Sequence, residues 1–500
     1  MQANVHLDIQ HHVGPIDRRV FGGFLEHLGR SVYQGMYDPG NPLSDENGFR
    51  QDVLEALRPL SMPVVRYPGG NFVSCYDWKD GIGPRESRRA RPDYAWRSVE
   101  SNQFGTDEFM VWAKQLGTDP MLAVNLGTAG TAEAAHLLEY CNLQTGTYWA
   151  DQRAKNGHAD PYHVRLWCRG NEMDGPWQAG HVPAAVYAQR AEQAAVIMRG
   201  LDPTIETIAC GSSGKELPTY LEWDRTVLEA CWTSVDYISA HRYSENYRDD
   251  SAWFLAEGIE IDRVIDDYAG LLAYVRGVKK SKKRVYLSFD EWNVWYRARA
   301  GDHADGHWAE APHLLEEVYN LEDAIVCAQY LSSFIRHADV VKIACIAQIV
   351  NVIAPLLTRP DGVLKQSIYY PFKLFSQYAI GQALTPVVDC PTYRAGDRGE
   401  VPVLDASASY DQESGTVSLF LINRDQQGEL AVDVKLADRQ IGRVVGVDEF
   451  GGGDVKAANS WDEPHRVGAR SGRAELSETG GLRVHVPAPG FAVVRVAPAE

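Results

Sequence analysis

His163-Val164-Arg165-Leu166-Trp167-Cys168 is a short β-prone run, and Arg169-Gly170-Asn171-Glu172 follows it at once. The pattern reads as a strand that stops at a glycine and presents an amide and a carboxylate at its end. The same arrangement returns at Arg284–Phe289, followed by Asp290-Glu291-Trp292-Asn293. Further runs of this kind are Arg19–Phe24, Pro63–Tyr67, Pro120–Asn125, Glu206–Gly211, Val235–His241 and Val340–Ala347. Most are nearly continuous apolar stretches, as expected of strands covered on both faces. Segments of helical length lie between them, among them Asn47–Leu60, Thr106–Leu116, Thr131–Tyr140, Pro183–Gly200, Asp262–Lys279 and Leu321–His337, with Gly117 and Gly200 as C-terminal stops. Eight strand–helix units predict an α/β chain folded as a (β/α)8 TIM barrel. A doubly wound open sheet would carry an early Gly-rich phosphate turn, and no GxGxxG follows the first strand.

The pattern changes after about Leu384. Short strands then alternate with turns: Thr416–Asn423, Glu429–Lys435, Arg443–Val447, Leu482–Pro487 and Phe491–Val496, punctuated by Gly451–Gly453 and Gly480–Gly481. This predicts an antiparallel, jelly-roll-like β-sandwich. Asn4-Val5-His6-Leu7-Asp8-Ile9 alternates like a strand but precedes the first barrel strand, so it is expected to cross over and join the sandwich. The expected organisation is therefore 1–16 as a joining strand, 17–384 as the barrel and 385–500 as the sandwich.

Five hundred residues with 45% hydrophobic content can bury a large core and exceed one simple domain. The formal net charge of −18 makes nucleic acid and anionic membrane surfaces poor partners, whereas a neutral sugar meets no such penalty. Eight cysteines are scattered singly, without a CxxC pair, and several sit inside apolar runs. That usage fits buried thiols in a reducing compartment. The opening MQANVHLDIQHHVG has no basic region leading into an apolar stretch, so no secretory signal is expected and the chain reads as cytoplasmic. The longest apolar run, near Cys345–Leu357, is broken by Gln348 and Asn351 and is too short to span a bilayer.

In a barrel, functional groups collect at the C-terminal ends of the strands. The residues found there are Leu25-Glu26-His27, Pro68-Gly69-Gly70-Asn71, Asn125-Leu126-Gly127-Thr128, Gly170-Asn171-Glu172, His241-Arg242-Tyr243, Asp290-Glu291 and Gln348, with only Ser212-Ser213 after the fifth strand. Glu172 and Glu291 end strands four and seven, which face each other across the barrel, so both can point into one pocket. Cleaving a glycosidic bond needs one carboxylic acid to protonate the leaving oxygen and a second carboxylate to attack the anomeric carbon or activate water. Either glutamate alone reads as a helix cap or a surface ion pair. Two of them, among this concentration of rim groups, point to catalysis. A retaining mechanism requires the carboxyls to lie roughly 5–5.5 Å apart. Asp290, adjacent to Glu291 on a strand, is expected to point the other way and be structural.

The motifs extend this reading. Phe21-Gly22-Gly23-Phe24-Leu25-Glu26-His27-Leu28-Gly29-Arg30, Arg66-Tyr67-Pro68-Gly69-Gly70-Asn71-Phe72, Tyr76-Asp77-Trp78, Gly81-Ile82-Gly83-Pro84, Asn102-Gln103-Phe104-Gly105 and Ala347-Gln348-Ile349-Val350-Asn351-Val352-Ile353-Ala354-Pro355 occur in this order. Together with Gly170-Asn171-Glu172 and Glu291 they resemble glycoside hydrolase family 51, the α-L-arabinofuranosidases. The resemblance implies Glu172 as acid/base and Glu291 as nucleophile. It implies that Asn171 donates to the sugar 2-hydroxyl, that Tyr243 holds Glu291, and that Glu26, Asn71, Cys75 and Gln348 line the subsite for the terminal arabinose. Trp96 and Trp295 would be aromatic walls near the aglycone, Arg66 would lower the pKa of the nucleophile, and His241 would stand behind it. A packed thiol is the competing reading for Cys75. The implied substrate is a short arabino-oligosaccharide, with no cofactor and no metal, and the implied assembly is a homo-oligomer, a hexamer in close relatives.

Weaker signals remain. His303, His307 and His313, with Asp302 and Asp305, match no standard ligand spacing and read better as a loop that closes over the pocket or meets another subunit. Most of the thirteen tryptophans are expected in the core. The competing functions are an endoglucanase or β-xylosidase on the same barrel, and a non-catalytic sugar-binding protein, which would have no need of the carboxylate pair.

Overall fold

The computed structural model describes residues 1–299, 308–478 and 480–499. Eight parallel strands close into a barrel: Gly22–Phe24, Val64–Tyr67, Asp119–Val124, Leu166–Arg169, Glu206–Ala209, Tyr237–Ser244, Tyr286–Val294 and Val341–Ala347, numbered here one to eight. Each lies on one of the eight runs expected from the sequence. Side chains of strand four alternate across the wall, with Leu166 and Cys168 inside beside Met121, Ala123, Ile208, Ile343 and Cys345, and Trp167 outside among the helices. Strand one is shorter than expected because Asp17 caps a 3-10 turn at Arg18–Phe21. Strands six and seven run further than expected and carry His241, Tyr243 and Glu291 within the ladder.

Helices Thr106–Leu116, Thr131–Asn142, Ala184–Leu201, Glu257–Val278 and Leu321–Arg336 surround the barrel. Gly117 stops the first of these in a left-handed conformation, φ +80°. Gly200 does not act as a stop: its helix continues through it to Leu201, and Asp202 is the C-cap. The expected helix 47–60 is shorter, Gln51–Leu57, and Pro59 at the start of a 3-10 turn ends it early.

The C-terminal part is a two-sheet sandwich. Gln382–Leu384, Leu404–Asp411, Thr416–Asn423, Gly490–Pro498, Ile441–Gly451 and Ala469–Ser471 form one antiparallel sheet, whose other edge is His12–Pro15. The facing sheet holds Val387–Asp389, Gln2–Leu7, Leu430–Leu436, Leu482–Val486 and Ala474–Leu476. The N-terminal strand therefore does cross over, and it pairs parallel with Leu430–Leu436, an exception to the antiparallel pattern. Leu419 and Leu421 fill the sandwich core while Phe420 and Ile422 face the barrel helices, where Phe420 stacks on Phe375 with centroids 4.3 Å apart.

Candidate active site

Strand four ends at Arg169, and the chain then turns through Gly170 (φ +92°) and Glu172 (φ +44°). A left-handed glutamate costs on the order of 1 kcal/mol or more, and such strain gathers at functional sites. Here it tips the carboxylate over the barrel mouth. Strand seven shows a second irregularity: Phe289 pairs with Ala344 but Trp292 with Ile346, so a β-bulge adds a residue. The same extra residue shows against strand six, where Ser239 pairs with Ser288 but His241 with Glu291. The extra residue turns both Asp290 and Glu291 inward, which corrects the expectation that Asp290 points away. Strands four and seven are not diametrically opposed. Strands five and six separate them, and His241 of strand six fills the gap.

Glu172, His241 and Glu291 each bring one ionisable atom within 4.8 Å of the other two. His241 Nδ1 lies 2.8 Å from Glu172 Oε1 and 3.4 Å from Glu291 Oε2, and its Nε2 lies 3.2 Å from Asp290 Oδ1. Sequence reasoning had put His241 behind the nucleophile, but it bridges the two glutamates. Arg66 Nη1 donates to Glu291 Oε1 at 2.7 Å and Nη2 to Asn171 Oδ1 at 2.7 Å, while its guanidinium lies over the Phe24 ring at 4.6 Å. Tyr243 donates to Glu291 Oε2 at 2.9 Å. The Asn171 amide keeps only long contacts, 3.4 Å to Asn71 Oδ1 and 3.5 Å to Gln178 Oε1, so its N–H groups can still serve a ligand.

A second group adjoins this one across Gly70, where a Cβ would meet both Glu26 Oε2 at 3.1 Å and Glu291 Oε1 at 3.2 Å. Glu26 Oε1 accepts from Phe72 N at 2.9 Å and Trp96 Nε1 at 3.0 Å, and Gln348 Nε2 donates to Oε2 at 3.3 Å. Gln348 Oε1 in turn accepts from Glu26 N and Ser31 Oγ. Trp96, Tyr243 and Trp295 pack against one small apolar cluster of Leu28, Leu314, Leu315, Val352 and Ile353. Cys75 stands apart: its thiol is exposed and lines a cavity of about 250 Å³ with Trp78, Lys79, Thr128 and Glu133.

The electrostatics follow from burial. Burial lowers the basicity of His241, but the charge on Glu291 and bonds to Asp290 and Glu172 outweigh it and raise the imidazole to about 10. This favours a charged imidazolium between the two glutamates at neutral pH, and by geometry alone the three groups could surround a cation. Burial raises Glu172, with the Glu291 charge acting in the same direction against the His241 and Trp177 bonds. Burial and the Glu291 charge push Glu26 up to about 8 from its ordinary 4.5. Native Glu26 therefore keeps a proton that the unfolded chain releases, and stability falls as pH rises from about 4.5 to about 8. The full cost, on the order of a few kcal/mol, is present above that window. Glu26→Gln is expected to raise the thermal midpoint by a few degrees near pH 9, with the gain vanishing near pH 4.5; scanning calorimetry at both pH values checks it.

Residues 56–258 match the α-L-arabinofuranosidase 1 domain, and residues 290–489 match the α-L-arabinofuranosidase C-terminal domain. The chain is 41% identical over 498 residues, 99% of each chain, to intracellular exo-α-(1→5)-L-arabinofuranosidase 1 of Bacillus subtilis. It belongs to the α-L-arabinofuranosidases of glycoside hydrolase family 51. An exo-α-(1→6)-L-arabinofuranosidase of Bifidobacterium longum is 40% identical over 509 residues, covering 99% of this chain and 97% of its own. The structure of AbfB, a family 51 α-L-arabinofuranosidase from Bifidobacterium longum, superposes with a TM-score of 0.95 at 38% identity, covering 99% of both chains.

Within this family 51 chain, sequence reasoning missed Trp177 and the inward Asp290. Trp177 Nε1 donates to Glu172 Oε2 at 2.7 Å. Nothing in the local sequence sets Trp177 apart from the other tryptophans, and a bulge leaves no mark in an apolar run. Of the histidine-rich segment, His303 and His307, with Asp302 and Asp305, lie outside the described residues. His313 pairs with Glu316 at 3.1 Å, which also accepts from Arg30. Among the described residues no helix is long and apolar enough to cross a membrane.

Proposed function

We propose that this family 51 protein removes terminal, non-reducing α-L-arabinofuranosyl residues from arabino-oligosaccharides with net retention. The observation that carries the reading is the Glu172–Glu291 pair, with carboxylate oxygens within 4.8 Å of each other. Retaining glycosidases hold their carboxyls roughly 5–5.5 Å apart, whereas inverting ones leave roughly 6.5–9.5 Å for a water. Glu291, held by Arg66 and Tyr243, attacks the anomeric carbon, and Glu172 gives its proton to the departing oxygen. Glu172 then takes a proton from the water that opens the glycosyl–enzyme ester and is thereby restored. Asn171 serves the 2-hydroxyl, where a hydrogen bond strengthens in the transition state. Glu26, Asn71 and Gln348 receive the other hydroxyls of the terminal sugar, and Trp96 and Trp295 form walls toward the aglycone.

Beside strand six, a groove of about 660 Å³ includes His241, Tyr243, Lys215 and Trp253 and gives room for the rest of the oligosaccharide. Its relatives' names cover both 1→5 and 1→6 linkages, so we take the aglycone linkage to be set in that groove. The intracellular relative and the buried thiols support a cytoplasmic enzyme. The family resemblance supports a homo-oligomer, with a hexamer as the expected state.

The test is hydrolysis of an aryl α-L-arabinofuranoside beside the matching β-D-xylopyranoside and β-D-glucopyranoside, with the product anomer read by NMR before mutarotation. Turnover of the arabinofuranoside with retention supports the reading. Preference for either pyranoside, or an inverted product, sinks it. Arg66→Lys is a sharper check on the nucleophile. One ammonium cannot reach both Glu291 and Asn171 and still lie flat on Phe24. We expect kcat/KM to fall roughly 10²-fold, with thermal stability changed far less.

A further inference from the structure

Glu172 is held at both oxygens. His241 occupies Oε1 from inside the barrel, and the Trp177 indole N–H occupies Oε2 at 2.7 Å. The Trp177 side is the outer one: the residue is 48% exposed, while His241 is buried. An indole N–H can only donate, so this bond favours the ionised carboxylate. Yet a general acid must turn a protonated oxygen toward the glycosidic oxygen, and Oε1 is closed off by the imidazolium. The departing sugar's oxygen therefore has to reach Oε2, where the indole now sits.

The loop is built to hold that ring there. A Cβ on Gly175 would lie 2.6 Å from Trp177 Cε2 and 2.7 Å from Cζ2, so the indole rests directly on a bare backbone. Gln178, next in sequence, donates to Ser74 Oγ and anchors the loop to the barrel.

We propose that Trp177 is a positioning residue for the acid/base: its indole N–H holds the outer oxygen of Glu172 until an aglycone enters, and then yields that place to the glycosidic oxygen. In the free enzyme this bond keeps Glu172 aimed and offsets part of the rise that burial imposes on its pKa. Entry of the aglycone removes the donor and favours the acid form needed for bond cleavage. After the aglycone leaves, the indole returns and again favours the carboxylate that accepts the proton of water. The proton count of the reaction is unchanged, because the indole never gives up its hydrogen.

The inference rests on Glu172 being the acid/base. The test is the pH profile of kcat/KM for an arabino-oligosaccharide with Trp177→Phe, which keeps a ring and loses the N–H, and with Gly175→Ala, which keeps the indole and pushes it off the carboxylate. Gly175 is not in a left-handed conformation, so alanine adds only the contact. Both variants are expected to move the alkaline limb upward by about one pH unit, since a lost hydrogen bond to the ionised form raises its pKa. An unmoved limb in Trp177→Phe overturns the proposal, and so does a drop in unfolding temperature with the limb in place, which would make Trp177 merely structural. If Glu172→Ala still cleaves oligosaccharides normally, the acid/base reading itself falls. If Glu172→Ala is inert and the Trp177→Phe limb is unmoved, only the positioning role falls.

Discussion

Glu291→Ala is expected to lose on the order of 10⁵-fold in kcat on an aryl α-L-arabinofuranoside while remaining folded. The expectation follows from what surrounds the carboxylate. Arg66 and Tyr243 each donate one hydrogen bond to it, and the imidazolium of His241 lies 3.4 Å away. None of these groups can attack carbon, so no neighbour can replace it. Removing the anion also leaves Arg66 and His241 with fewer counter-charges, but Asp290 remains 3.7 Å from Arg66 and 3.2 Å from His241 and keeps both compensated. The fold should therefore survive, as circular dichroism and the unfolding midpoint would show. A variant that is folded and retains more than a small percentage of activity would exclude Glu291 as the nucleophile.

Glu172→Ala is expected to give a split result. An oligosaccharide, whose leaving sugar is a poor leaving group, needs protonation, and its kcat/KM should fall by about 10³- to 10⁴-fold. A nitrophenyl arabinofuranoside, whose aglycone departs without help, should lose far less in the first step and accumulate glycosyl–enzyme. Azide needs no general base and can enter the space vacated by the carboxylate. Added azide should therefore restore turnover and yield an arabinofuranosyl azide of retained configuration. Equal losses on both substrates, with no azide product, would mean that Glu172 is not the acid/base. Mass spectrometry of the trapped intermediate and NMR of the azide read the two arms separately.

The barrel was legible because its strands are covered on both faces and so appear as apolar runs ending in polar clusters. Glu172, Glu291, Arg66, Asn171, His241 and Tyr243 converge as the ends of those runs suggest, and Glu26, Gln348 and Trp96 form the adjoining group. What could not be read depends on local backbone departures. The bulge that turns Asp290 inward breaks the alternation from which its direction was inferred. The left-handed Glu172 follows from how the loop closes, since glutamate itself has no preference for that region. Trp177 reaches Glu172 because Gly175 leaves space beneath its ring, a relation between residues that composition does not reveal. Gly200 lies within its helix because a glycine marks a stop only where the chain turns left-handed, as Gly117 does.

The N-terminal strand has a consequence for biosynthesis. Gln2–Leu7 leaves the ribosome long before its partner Leu430–Leu436 is translated. At the roughly 5–20 residues per second of translation, the two meet only after about 20–90 s. For most of that interval, until its other neighbour Val387–Asp389 is made, the nascent chain carries Ala3, Val5 and Leu7, all buried in the finished protein, on a strand with no partner. The barrel can assemble between the two halves of the sandwich, but the sandwich itself can be sealed only after the strand Gly490–Pro498 has left the exit tunnel.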